Sequence, residues 1–153
     1  MEKYSGNIID VVRDRIYAGT VYVDGKRIVE ITEDNQTYSQ YIVPGFVDSH
    51  IHIESSMLVP SEFARIAVQH GTVAAVCDAH EIANVLGVEG VKFMIRDGDR
   101  ALMKFYFSAP SCVPATPFES SGAQISPEDI REIFKEFPQV KFLGEMMNYP
   151  GVI

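Results

Sequence analysis

The chain has 153 residues, of which 46% are hydrophobic and 22% are charged, the balance of a folded globular protein with enough length for one ordinary core. Its formal net charge of −8 argues against the basic patch that nucleic-acid binding requires, so no nucleic-acid partner is expected. No apolar stretch approaches the length of a membrane span, and residues 1–9 lack a secretory leader, so we expect no membrane partner and a cytoplasmic location.

The first 43 residues are rich in β-forming side chains and predict a small β-unit. The pair Asp24-Gly25, flanked by Ile- and Val-rich segments, is a strong hairpin signal, and the polar stretch 32–39 predicts a loop. The predicted strands of this unit lie at 7–12, 15–23 and 27–32.

From Pro44 onward, short apolar strands alternate with amphipathic helices. The strands are predicted at 46–49, 72–77, 104–108 and 140–144, and the helices at 60–70, 84–101 and 126–137. A break in the second helix is predicted near Gly87, Gly90 or Gly98. Such repeats build a parallel α/β sheet, which is either a small open sheet or about half of a (β/α)8 barrel of roughly 250 residues. Because the sequence stops soon after the fourth strand, a partial barrel is favoured.

Two histidines, His50 and His52, stand where the first of these strands ends. Side chains at i and i+2 of a strand point the same way, so both imidazoles can converge on one metal ion. Barrel active sites are built at this end of the strands, and imidazole suits Zn²⁺, Fe²⁺ and Mn²⁺ alike. An isolated His-x-His pair is common, but the Pro-Gly lead-in, the strand position and a nearby acid favour metal ligation here.

Glu145 follows the fourth predicted strand directly. A carboxylate at this position would lie at the same edge of the sheet as the histidine pair. It could then bridge two metal ions roughly 3.5–4 Å apart, as in two-metal sites. The alternative is an ordinary solvated glutamate at a strand end.

A second polar cluster, Asp78-Ala79-His80-Glu81, follows the second strand. His80 and Glu81 are candidate catalytic residues, because imidazole and carboxylate groups can move protons. Asp78 is a candidate substrate-binding residue at the same edge. The competing interpretation is that Asp78 and Glu81 cap a turn or a helix start.

Five further residues have simpler interpretations. Glu54 and Ser55 directly follow the histidine pair and either bind substrate or belong to an ordinary polar loop. His70, before a glycine at a helix end, is predicted to lie on the surface. Cys77 is predicted in the core and Cys112 in a loop, and neither has a nearby base that would make it a nucleophile.

Several motifs, taken together and in order, resemble a known family. The segment 44–52 is similar to the first-strand signature of the amidohydrolase superfamily. With it, four blocks resemble the adenine deaminases of bacteria and archaea, over about residues 40–153: His50–Met57, Asp78–Val85, Pro110–Glu119 and Leu143–Val152.

This resemblance implies a (β/α)8 barrel with a small β-sandwich domain. Residues 1–43 would be a β-rich segment of the sandwich, and residues 44–153 the first half of the barrel. The implied reaction is the hydrolytic deamination of adenine, a small purine base, to hypoxanthine and ammonia by a metal-activated hydroxide. Two divalent ions, Mn²⁺ or Fe²⁺ with Zn²⁺ as a further option, would be held by His50 and His52 and bridged by Glu145. We expect a homo-oligomer.

Members of this family also use histidines from later strands and an aspartate from the last strand, which this chain does not contain. The chain by itself is therefore expected to be inactive or nearly so. Two alternatives remain open. One is another amidohydrolase that acts on a cyclic amide or an acetylated sugar, and the other is a non-catalytic α/β module.

Overall fold

A computed structural model describes all 153 residues and divides them into two compact units, Met1–Pro44 and Gly45–Ile153. The first unit is a single four-stranded sheet with strand order β3-β2-β1-β4, in which β4 joins β1 in parallel and the other pairs are antiparallel. Its strands are β1 (Glu2–Asp10), β2 (Arg15–Asp24), β3 (Arg27–Glu33) and β4 (Tyr41–Ile42).

The hairpin predicted at Asp24-Gly25 is confirmed, with Gly25 in the left-handed region at a φ of 59°. The predicted end of the first strand is wrong, because β1 stops at Asp10. The side chain of Asp10 accepts hydrogen bonds from the backbone N–H groups of Val12 and Arg13, which turns the chain two residues early.

The second unit has the α/β character that the sequence predicts. Its three strands pair in parallel in the order β5-β6-β7, and three helices lie between or after them. The elements are β5 (Phe46–Ile51), α1 (Pro60–Ala67), β6 (Thr72–Cys77), α2 (His80–Gly98), β7 (Lys104–Phe107) and α3 (Pro127–Glu136), with short 3-10 turns at Ile53–Ser56, Val68–His70 and Tyr149–Gly151. None of the helices combines the length and the apolar composition that a membrane span requires.

The fourth strand predicted at 140–144 is wrong as a full strand, because the segment forms only an isolated parallel bridge between Ala109 and Leu143. Two backbone hydrogen bonds hold it: the Ala109 N–H donates to Phe142 O at 3.0 Å, and the Gly144 N–H donates to Ala109 O at 2.7 Å. The side chains of Phe142 and Leu143 are exposed, so little burial reinforces the pairing. The bridge still brings this segment alongside the continuation of β7.

Helix α2 begins at His80, four residues before its predicted start, and its break lies at Gly87, which has a φ of 60° and a ψ of −145°. The N-cap residue Ala79 has no side chain that could accept a hydrogen bond. Instead, Glu54 Oε1 from the loop after β5 accepts the N–H of Ile82 at 3.3 Å. A cap supplied from a distant loop gives no local signal in the sequence.

Helix α3 begins at Pro127 with Ser126 as its N-cap, as predicted, and a reciprocal capping box forms there. Ser126 Oγ accepts the Asp129 N–H at 3.2 Å, and Asp129 Oδ2 accepts the Ser126 N–H at 2.7 Å. We expect Ser126→Ala to lower the free energy of unfolding by about 1 kcal/mol in urea titrations. Ser120→Ala, at an exposed loop position, is the control, and equal effects of the two changes would contradict this role.

The same box predicts a pH dependence. Hydrogen bonds from Ser126 hold the pKa of the Asp129 carboxyl below its ordinary value of 3.8. A carboxyl whose pKa is lower in the folded than in the unfolded chain stabilises the fold at any pH above its unfolded-state pKa. This stabilisation is lost as the pH falls through the folded-state pKa. The difference in free energy of unfolding between the parent chain and Ser126→Ala, measured by urea titration, should therefore become smaller in acid.

Candidate metal centre

The histidine pair lies at the carboxyl end of β5, with His50 inside the strand and His52 one residue beyond its end. His52 keeps an extended backbone, with a φ of −106° and a ψ of 96°, so the two-residue side-chain period continues past the strand. The two imidazoles accordingly converge, and their Nε2 atoms lie 2.9 Å apart. The side chain of His50 is half exposed, whereas that of His52 is mostly buried.

Glu145 lies beside this pair, as the position of its segment predicts. Its carboxylate oxygens are 3.8 Å from His50 Nε2 and 3.6 Å from His52 Nε2. The three residues proposed as metal ligands from the sequence are therefore neighbours in space. Their part in metal binding stays a prediction.

The orientation of His52 is set from its other ring nitrogen. Nδ1 lies 3.0 Å from the main-chain oxygen of Asp78 and 3.2 Å from Glu81 Oε2. Both oxygens are acceptors, so Nδ1 carries the proton and the neutral ring presents the Nε2 lone pair toward His50 and Glu145. Burial alone would lower the pKa of His52, but Glu81, the Asp78 carbonyl and Glu145 together raise it above its ordinary value.

The cluster after β6 joins this group through His80, which is buried at the start of α2. Its Nδ1 is 3.4 Å from Asp78 Oδ2, and its Nε2 is 3.7 Å from Glu81 Oε2 and 3.9 Å from Glu145 Oε1. The His80 ring also meets the His52 ring edge-on, with centroids 4.6 Å apart. Both candidate catalytic residues therefore lie in one continuous group of imidazoles and carboxylates.

The three candidate substrate-binding residues are each engaged with other groups of the protein. Glu54 accepts a hydrogen bond at the start of α2, and burial raises the pKa of its carboxyl above the ordinary value. Ser55 Oγ donates to Glu81 Oε1 at 3.2 Å. Asp78 Oδ2 accepts the backbone N–H of Glu145 at 2.8 Å. A role in substrate binding stays a prediction for all three.

Two residues near the site were missed by sequence reasoning. Gly144 lies so close to the Asp78 carboxylate that a Cβ at position 144 would overlap it. Ser108, directly after β7, is fully buried, and its Oγ has no hydrogen-bond partner in the protein. It lines a cavity of about 210 Å³ together with Asp78, Gly144 and Glu145. Gly144 had a usable signal, a glycine directly before a strand-end glutamate, and Ser108 had a weaker one, a single polar residue at the end of the third predicted strand.

The remaining singled-out residues lie where the sequence predicts. His70 is exposed, and it directly precedes Gly71 and β6, at the end of that strand opposite to the site. Cys112 is half-buried in a loop. Cys77 is buried in the core, where desolvation raises the pKa of its thiol to about 12.

This pKa predicts selective alkylation. At pH 8 only on the order of one Cys77 thiol in ten thousand would be ionised, and thiolate is the reactive form. We expect iodoacetamide to modify Cys112 in the folded chain and to modify Cys77 only after unfolding in urea. Mass spectrometry of the digested protein reads out both sites, and modification of Cys77 in the folded chain at a rate similar to Cys112 would contradict its burial.

The side chains present fit a divalent cation. Imidazole nitrogens with a nearby carboxylate are the donors that Mn²⁺, Fe²⁺ and Zn²⁺ accept in proteins. Three groups of such side chains have donor atoms within 4.8 Å of one another, and Glu145 belongs to two of these groups: His50-His52-Glu145, His52-His80-Glu81 and Asp78-His80-Glu145. In addition, the buried atoms Asp78 Oδ1 and His80 Nδ1 have no hydrogen-bond partner in the protein.

Comparison with known proteins finds a matching family model and several similar curated proteins. The family model described as "Amidohydrolase family" matches residues 41–152. Adenine deaminase of Methanothermobacter thermautotrophicus is 54% identical over 149 residues, which is 97% of this chain and 28% of that protein. The adenine deaminases of Methanosarcina mazei and Borreliella burgdorferi are 50% and 46% identical over 153 residues, which is 100% and 99% of this chain but only 27% and 28% of those proteins. The chain thus spans little more than a quarter of the length of these curated relatives.

Proposed function

This chain belongs to the amidohydrolase family, and from that premise we propose that it forms part of an adenine deaminase, which converts adenine and water to hypoxanthine and ammonia. The observation that carries the proposal is the convergence of His50 Nε2, His52 Nε2 and the Glu145 carboxylate within 4 Å of one another. Relatives that are about half identical over nearly the whole chain support the choice of substrate.

We extend the proposal to the fold. Residues 44–153 would form the first part of a (β/α)8 barrel, and residues 1–43 would contribute to a small β-sandwich domain. The parallel order β5-β6-β7, followed by a bridge to the segment before Glu145, supports the barrel assignment. The separate four-stranded sheet of Met1–Pro44 supports the assignment of a second domain.

The proposed ligands are His50 and His52 for one divalent ion, with Glu145 shared between that ion and a second one. Mn²⁺ or Fe²⁺ is the proposed metal, and Zn²⁺ suits the same donors. When bound, such ions lower the pKa of water towards ~7 and stabilise the negative charge that develops during hydrolysis. Within this chain, Asp78 O and Glu81 hold the proton of His52 on Nδ1, which leaves Nε2 free as a donor atom.

His80 and Glu81 are the proposed proton carriers. During hydrolysis a C–O bond forms at C6 of adenine and the bond from C6 to the amino nitrogen breaks. The water loses two protons, of which one is gained by the departing amino group and the other by N1 of the ring. His80 Nε2 lies 3.7 Å from Glu81 Oε2 and 3.9 Å from Glu145 Oε1, so a proton could pass from His80 to either carboxylate through one bridging water.

The test is a substrate screen with the full-length product of the coding sequence, loaded with Mn²⁺. We expect adenine to be converted to hypoxanthine and ammonia, detected by chromatography and an ammonia assay, without turnover of hydantoins, lactams or acetylated sugars. Turnover of a cyclic amide or an acetylated sugar, but not of adenine, would assign a different amidohydrolase reaction. Binding of Mn²⁺ without turnover of any of these compounds would favour a non-catalytic module.

A further inference from the structure

We propose that Asp78 is a positioning residue that fixes two of the metal ligands at once, His52 through its main-chain oxygen and Glu145 through its carboxylate. The proposal rests on the metal centre described above. It adds a role inside the protein to the candidate substrate contact, because the main-chain oxygen and Oδ2 of Asp78 are engaged with these two residues, whereas Oδ1 has no hydrogen-bond partner.

The contact with His52 is anchored in the sheet. The Asp78 N–H donates to Ile51 O at 3.2 Å, which continues the pairing of β5 and β6 by one residue. Ile51 is the residue between the two histidines, so the Asp78 peptide is fixed relative to both of them. Its carbonyl can therefore hold His52 Nδ1–H at 3.0 Å in a constant direction. A metal-binding histidine that donates from its other nitrogen has a defined tautomer and ring orientation.

The contact with Glu145 depends on a close approach of two chain segments. Asp78 Oδ2 accepts the Glu145 N–H at 2.8 Å, and the same carboxylate lies against Gly144. Only glycine permits this approach, because any Cβ at position 144 would overlap the carboxylate. The segment before Glu145 is otherwise held by the short bridge to Ala109 and by the buried side chain of Val140, and the Ser111 hydroxyl donates to the main-chain oxygen of Glu145. The hydrogen bond from the Glu145 N–H to Asp78 is a further anchor, on the side of the histidine pair.

The burial of Asp78 indicates that its role is to position neighbouring residues rather than to stabilise the fold. The residue is only 5% exposed, and its Oδ1 has no hydrogen-bond partner in the protein. The ion-pair partner of its carboxylate is His80, whose Nδ1 lies 3.4 Å from Asp78 Oδ2. Burying a carboxylate costs free energy unless its oxygens are fully bonded, so this arrangement is a poor device for stabilising a fold.

The experiment measures Mn²⁺ affinity of the 153-residue chain by electron paramagnetic resonance titration. We expect Asp78→Ala to weaken binding by about 10–100-fold, the range for residues that orient metal ligands. Asp78→Asn retains an acceptor oxygen for the Glu145 N–H and should bind within a few-fold of the parent chain. Because Glu145 is no longer held in Asp78→Ala, adding Glu145→Ala to that variant should cost little more.

Two further variants control for folding. Asp97→Ala removes another carboxylate that accepts a backbone N–H, that of Ser61 at 2.7 Å, outside the metal centre. It should lower the melting temperature and leave Mn²⁺ affinity unchanged. Gly144→Ala separates the Asp78 carboxylate from the Glu145 N–H without altering either side chain, so it should weaken Mn²⁺ binding even if Asp78→Ala fails to fold.

The outcomes separate this inference from the metal centre itself. Parent-like affinity in Asp78→Ala and Gly144→Ala, with lost affinity in Glu145→Ala, would overturn the positioning role and leave the metal centre intact. Losses that multiply in the Asp78→Ala, Glu145→Ala double variant would also overturn it. Parent-like affinity in Glu145→Ala would remove the metal centre and this inference together.

Discussion

Replacing both histidines, His50→Ala with His52→Ala, is expected to cause the largest loss of Mn²⁺ affinity among the variants of this protein. Mn²⁺ affinity of the chain should fall by more than about a hundredfold, beyond the range seen when only an orienting residue is removed. The reason is that the Nε2 atoms of His50 and His52 lie 2.9 Å apart and could therefore bind the same ion. Each of them also lies less than 3.9 Å from a carboxylate oxygen of Glu145, and no other pair of imidazoles does. In the full-length product, adenine deamination should be abolished.

The matched control for this double variant is His70→Ala. It removes the same chemical group from the opposite end of β6, where the side chain is exposed. Its Mn²⁺ affinity and activity should equal those of the parent. A His50→Ala, His52→Ala protein that retains tight Mn²⁺ binding would disprove the ligand assignment, and one that retains activity would disprove the mechanism.

Glu145→Ala is expected to have the second-largest effect. Glu145 is the one carboxylate within 4 Å of Nε2 of both His50 and His52. Its removal takes away the negative charge that would be shared between two ions, so we expect at least a tenfold loss of Mn²⁺ affinity and loss of the antiferromagnetic coupling between paired Mn²⁺ ions in the full-length product.

Two comparisons sharpen the Glu145 prediction. Glu145→Gln keeps the shape and one oxygen donor but removes the charge, so its affinity should lie between those of the parent and Glu145→Ala. Glu132→Ala, at an exposed position of α3, should bind as the parent does. If Glu145→Ala and Glu132→Ala were indistinguishable, the carboxylate would have no part in the site.

The ligand geometry could be predicted from the sequence because it follows from local periodicity and strand ends. The two-residue period of an extended chain places His50 and His52 on one side. Parallel strands bring their carboxyl ends to one edge, which is why Glu145 and the residues after β6 meet the histidine pair. These rules require only the positions of the strands, and the approximate positions predicted from the sequence were sufficient to place the three residues together.

The fourth strand and the start of α2 could not be predicted because both depend on partners distant in the chain. The segment 140–144 has strand-forming residues, but a strand needs a paired neighbour, and here only Ala109 pairs with it. The first turn of the helix, which starts at His80, is capped by Glu54. The Glu54 carboxylate accepts the N–H of Ile82, 28 residues further along the chain. Neither contact can be inferred from the local propensities of the residues involved.

The positioning role that we propose for Asp78 could not be predicted from the sequence for a related reason. The sequence places an acid after a buried strand, which is typical of a residue that lines a binding site. Its actual partners are the N–H of Glu145, 67 residues away, and the ring of His52, 26 residues away. Only the spatial structure shows that these contacts occupy its main-chain oxygen and Oδ2.

The most direct test of the central claim is electron spin-echo envelope modulation of the Mn²⁺-loaded chain, with histidine labelled by ¹⁵N. The geometry predicts modulation from two directly bound imidazole nitrogens, assigned to His50 and His52 by its loss in the double alanine variant. Mn²⁺ that shows no imidazole nitrogen, or that shows the same nitrogens after both histidines are replaced, would contradict the account.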